Sequence, residues 1–211
     1  IIHRVNLTSQ SSRPASAGGL LYCVRPLFMT SLTKQQQLDV IKDIFGLTKS
    51  LLDESERAVV ILAGARLDID LEKLLKHILI PYPGGTDPLF DGDRMLGTFS
   101  AKIAMAYRIG AIDADLERAL QILRKIRNDF AHQLEHESLS SPRQKSRLAE
   151  LVRWASQTEL YQLGYKAFSG ADRKSAEHFD FVLCTVCMTV TLSSGVAHLS
   201  RVNVGPPLSL T

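Results

Sequence analysis

Leu116, Ala119, Leu120, Leu123, Ile126 and Phe130 recur at steps of three and four residues. That spacing aligns one face of an α-helix and no face of a strand. The same rhythm runs through Leu38, Ile41, Ile44, Phe45, Leu47, Leu51 and Leu52, and again from Val59 to Ile78. No stretch alternates apolar and polar residues between turn signals, as a half-buried strand would. A chain patterned this way can bury its apolar residues only by packing helix on helix. The expected fold is all-α, a single helical bundle of about six helices.

Local signals set the expected boundaries. Thr33-Lys-Gln-Gln36 has the form of a capping box and opens a helix over 34–53. Ser55-Glu56 opens a longer one, which the proline- and glycine-rich loop "IPYPGGTDPLFDGD" at 80–93 interrupts. A third helix is expected over 96–109, stopped by Gly110, and a fourth from Asp113 or Asp115 onward. Ser141-Pro142 restarts a fifth near 142–156, and Asp172 opens the last, to about 199.

The chain has 211 residues, 45% hydrophobic and 22% charged, with a formal net charge of +3. Those values suit one globular domain and lack the charge density of a dedicated nucleic-acid binder. Residues 1–28, acid-free and rich in Ser, Gly and Pro, are expected to be a disordered or non-native leader ahead of Met29. The domain is placed at 29–205, with a tail at 206–211. Three cysteines, Cys23, Cys184 and Cys187, make no disulfide framework and suit a reducing cytoplasm. From Phe181 to Ser200 there is no charged residue, a length that could span a bilayer. Its Thr, Ser, Gly and His content favours a central helix buried by its neighbours, and no membrane is expected.

The chemistry concentrates in "RKIRNDFAHQ", 124–133. At about 100° per residue, Arg127 falls about 40° from Leu123, at the edge of the apolar sector. A guanidinium there must reach outward along its stem, find an acidic partner or meet an interface. Asn128 and His132 are four apart and share a face. Arg can fork onto phosphate oxygens, His can move protons near neutral pH, and an amide beside them can hold a hydroxyl. Together, Arg127, Asn128 and His132 could cleave RNA without a metal, with His132 as acid/base. Arg127 and His132 stand about 140° apart around the helix, so such a site is more natural across a dimer. The alternative is structural. His132 then favours the helix dipole, and Arg127 pairs with Asp87, Asp91 or Asp93.

"RNDFAH" resembles the R-x4-H motif of HEPN domains, all-α units that often act as dimeric ribonucleases or toxin components. The resemblance implies phosphate and catalytic roles for Arg127, Asn128 and His132. A longer stretch, "DPLFDGDRMLGTFSAKIAMAYRIGAID" with the helix ending "LRKIRNDFAH", resembles the mannitol operon repressor (MltR) family. That match covers 86–135 well. It implies a transcriptional regulator of repressor type.

No helix-turn-helix or basic recognition helix stands out. Arg143, Lys145, Arg147 and Arg153, broken by Glu150, read as a solvated face. Regulation through a protein partner, by a homodimer, therefore fits better than direct reading of DNA, and RNA remains an allowed ligand. Gly84-Gly85 and "FDGD" lack the spacing of a phosphate loop or a calcium loop. Asp87, Asp91 and Asp93 read as turn and cap residues. Cys184-Thr-Val-Cys187 reads as small core residues. His132-x3-His136 lacks a third ligand, and no metal or cofactor is expected. The expectation is a cytoplasmic regulator of the mannitol-repressor type. The alternative is a metal-independent HEPN-type endoribonuclease.

Overall fold

The computed structural model describes residues 33–132, 137–168, 170, 174–203, 205 and 208. Among them the chain is all-helical, with no strand. The helices are α1 (Lys34–Asp53), α2 (Glu56–Ile78), α3 (Phe99–Arg108), α4 (Ala114–His132), α5 (Pro142–Ala155), α6 (Glu159–Ala167) and α7 (Ala176–His198). One 3-10 turn, Pro88–Phe90, lies in the loop between α2 and α3. The leader expected at 1–28 lies outside the described residues, as does most of the 206–211 tail.

The helix starts follow from side-chain oxygens that accept the first unpaired N–H groups. Ser55 accepts from Ala58 at 3.2 Å, Thr98 from Ala101 at 3.2 Å, and Asp113 from Leu116 at 2.8 Å. Asp113 rather than Asp115 therefore opens α4. The third helix starts at Phe99, later than expected, because Leu96 is used elsewhere. Its N–H bonds Leu89 O at 3.0 Å, and its side chain is buried in the core. The last helix starts at Ala176 with Ser175 as its cap, accepting from His178 at 3.0 Å. Asp172, expected there, lies outside the described residues.

One helix was not expected. α6 is nine residues long and fully buries only Tyr161. It docks by close approach, since a Cβ on Gly164 would come within 2.9 Å of Leu183 Cδ2 on α7.

α7 is the axis of the bundle and packs against α1, α2, α5 and α6. By length and composition it could cross a membrane, yet 67% of its most apolar window is buried inside the fold. Several of its hydroxyls bond back along the helix, while Thr189 Oγ1 is buried with no hydrogen-bond partner among the described residues. Thr185 donates to Phe181 O at 2.9 Å and Thr191 to Cys187 O at 2.8 Å. α4 packs against α2, α3 and α5. That places the end of α4, and "RNDFAH" with it, where several elements meet.

Candidate functional site

The last turn of α4 divides its residues between two jobs. Phe130 is wholly buried, and Arg57 on α2 holds the turn from both sides. Its guanidinium donates to Phe130 O and lies 5.9 Å from the Phe130 ring centre. Asp129 faces α5, where it accepts from Arg147 at 2.6 Å and from Gln144 at 2.9 Å, with Arg143 at 3.2 Å. Burial raises the Asp129 pKa, but the bonds from Gln144 and Arg147 outweigh it and hold the carboxyl below its ordinary range. These residues fasten the helix end.

Arg127 and Asn128 point the other way, into an open cleft of about 420 Å³ between α2, α3 and α4. Arg127 is exposed, Asn128 half-buried, and Arg127 Nη1 donates to Asn128 Oδ1 at 3.1 Å. Gly64 on α2 makes room for the arginine, because a Cβ there would meet Arg127 Cγ at 2.8 Å. The stem thus lies on α2, and the charged head emerges into the cleft. Arg124, one turn back, shares the wall and donates through Nε to Gln121 Oε1 at 2.9 Å.

The facing wall is the start of α3. Gly97 lets the loop fold back on itself, since a Cβ would fall 2.1 Å from Asp91 O, inside any permitted contact. That fold presents Thr98, Phe99 and Ser100 to the cleft. The N–H groups of Phe99 and Ser100 belong to a helical first turn, which has no acceptor within its own helix.

Asp68 on α2 is the acid of this wall. Lys102, 4% exposed, sits beneath it at 2.9 Å and reaches Glu72 at 2.7 Å. Burial lowers the Lys102 pKa, but its bonds to Glu72 and Asp68 prevail and the net shift is upward. Burial likewise raises the Glu72 pKa, and bonds from Lys102 and Lys76 carry it below the usual carboxylate range.

The residues singled out in the sequence therefore separate. Arg127 and Asn128 come together. His132 ends α4, exposed, and is not part of the cleft lining. Arg127 pairs with none of the aspartates proposed for it. Asp87 accepts from Leu89 N at 3.0 Å and starts the 3-10 turn, Asp93 stands 3.9 Å from Arg94, and Asp91 lends its carbonyl to the turn at Arg94. Arg143, Lys145 and Arg147 are engaged in ion pairs with Asp129 and Glu177.

Cys184 and Cys187 are buried in α7, and burial raises both thiols, Cys187 to about 11. Cys23 and His136 lie outside the described residues. Among the described residues no three His, Cys, Asp or Glu side chains gather as a metal site.

Sequence reasoning missed Arg124, Gly64, Asp68 and the α3 N-terminus. The available signals were a glycine in mid-helix and two arginines one turn apart. No protein-family profile, curated protein or solved structure matches the chain.

Proposed function

We propose that this chain is a regulator of the mannitol-repressor type, cytoplasmic and dimeric, that acts by binding a protein partner rather than by reading DNA or turning over a substrate. The observation that carries it is the composition of the cleft. It can hold an anion, but its carboxylate is tied to Lys102 and His132 stands outside it. A site of that kind binds without a group placed to move a proton. On α2, which forms one wall of the cleft, Leu62 and Ile69 stand seven apart on one exposed face, 46% and 51% exposed. An exposed apolar pair on the helix that walls the cleft suits a protein surface. Most of the basic run is engaged within the chain, which leaves little of it for phosphate contacts along a duplex.

The test combines a reporter fused to a mannitol-operon promoter with a gel shift on the same naked DNA. The expected result is repression in cells and no shift with the purified chain at ordinary salt. Unchanged reporter output would refute the regulator. A clear shift would refute the protein-mediated route.

The ribonuclease is the second reading. It is supported by Arg127 and Asn128 meeting in an open cleft, where among the described residues no carboxylate pairs with the guanidinium. A second copy would have to supply the proton-transfer group. RNA cleavage in EDTA, lost in both Arg127→Ala and His132→Ala, would establish it in place of the first.

A further inference from the structure

The charge of the cleft is out of balance. Arg124 and Arg127 lie one turn apart on α4 and face the same space. Their bonds go to neutral acceptors, Gln121 Oε1 and Asn128 Oδ1. Among the described residues neither meets a carboxylate. Asp68, the acid of the wall, is matched by Lys102 at 2.9 Å. Two positive charges are left without a counter-charge, and the first turn of α3 adds its N–H groups and positive dipole end across from them.

We propose that this cleft binds the terminal dianion of a phosphate monoester. Arg124 and Arg127 fork onto its oxygens, the Asn128 amide donates a further bond, and the first N–H groups of α3 close the cradle. Two guanidiniums match a doubly charged monoester. A diester carries one charge on two non-bridging oxygens, so it offers one charge and one oxygen fewer to share between the two walls. Gly64 keeps the Arg127 stem flat on α2, so the head is set before the ligand arrives. The ligand is held unchanged, with no bond formed or broken. The site stands on its own geometry, whichever function the chain serves.

Calorimetric titration of the full chain with methyl phosphate tests it, with dimethyl phosphate as the diester control. Saturable binding of methyl phosphate is expected. It should weaken about tenfold or more in Arg124→Ala and in Arg127→Ala, each losing a charge-assisted bond. It should stay unchanged in Arg118→Ala, whose guanidinium pairs with Glu150 outside the cleft. Binding should also fade as the pH falls below about 6, where the dianion takes up a proton. Thermal melts establish that each variant is folded.

No saturable binding by the parent would overturn the proposal. So would equal binding by the two cleft variants, or dimethyl phosphate binding as tightly as methyl phosphate. An RNA oligomer that outcompetes methyl phosphate through the same two arginines would also overturn it, and would make the ligand a nucleic-acid backbone.

Discussion

Replacing Lys102 by methionine keeps most of the stem and removes the ammonium that ties Asp68 and Glu72 beneath the cleft. The lysine is 4% exposed, and its two carboxylates are 33% and 29% exposed. Stranding a charge by breaking a buried pair costs about 3–5 kcal/mol. Here the stranded carboxylates keep contact with water, and Glu72 retains Lys76 at 2.7 Å. Discounting by roughly half leaves a loss of about 2 kcal/mol, or about 4–8 °C in Tm for a chain of this size.

The pH dependence is a sharper check. Glu72 is held below its ordinary 4.5, so the stability it adds is present above 4.5 and is lost as the pH falls through the folded value. Lys102 is raised above its ordinary 10.5, so its contribution is present below 10.5 and is lost as the pH rises through the folded value. The gap in Tm between parent and Lys102→Met should therefore be widest near neutrality and narrow toward both extremes. Melts followed by circular dichroism across that range measure it. A gap under about 1 °C at neutral pH would refute the reasoning, because it is well below the loss worked out above. A gap equally wide in acid would refute it too.

Three further outcomes are expected. Asp129→Asn leaves Arg143 and Arg147 without their carboxylate and should lower stability by about 1–2 kcal/mol in urea unfolding, with the slope unchanged. The same carboxylate is held below its ordinary 3.8, so the deficit should vanish as the pH falls through that folded value. His178 is 1% exposed with Nε2 unpartnered among the described residues, and burial, then Lys174, lowers its pKa from 6.5. Its neutral form is the folded one, so the parent should lose stability as the pH falls below 6.5, and His178→Gln should lose less over that interval. In a Cys23→Ser chain, Cys184 and Cys187 should resist a thiol reagent until the protein unfolds, because both are buried and raised. Rapid labelling of the native chain would contradict that burial.

Six of the seven helices among the described residues were legible, because long amphipathic patterns and Ser, Thr or Asp caps are local properties of the chain. α6 was not. It is short, sits against α7 through the absence of a side chain at Gly164, and fully buries only Tyr161, so no periodic face announces it. The angle of Arg127 on α4 was also legible, about 40° from Leu123. What the guanidinium meets was not. An angle says which side of a helix a residue takes, whereas the neighbour on that side depends on how α2 crosses α4. Of the outcomes open to it, outward reach, an acidic partner or an interface, the structure shows the first: the stem lies in the room left at Gly64 and the head bonds Asn128, and only the packed pair of helices reveals that a missing methyl group was the relevant feature.

The same limit applies to the two stretches that carried resemblances. "LFDGDRMLGTFS" and "RNDFAH" lie about one helix apart in the chain and face each other across the cleft. Neither is a site alone. "RNDFAH" provides the guanidinium and the amide, but the chemistry open to them depends on what stands opposite. With an unpaired histidine or carboxylate there, the cleft could move a proton. With the N-terminus of α3 and an aspartate already matched by Lys102, it can offer donors and positive charge. The opposite wall exists because Gly97 lets the loop turn back within contact of Asp91 O. A chain that kept "RNDFAH" but carried a bulkier residue at that glycine could not close the loop the same way. It would lose the facing donors while the motif stayed intact. Discriminating a binder from a nuclease in chains of this kind therefore rests on the loop before α3 as much as on the motif at the end of α4.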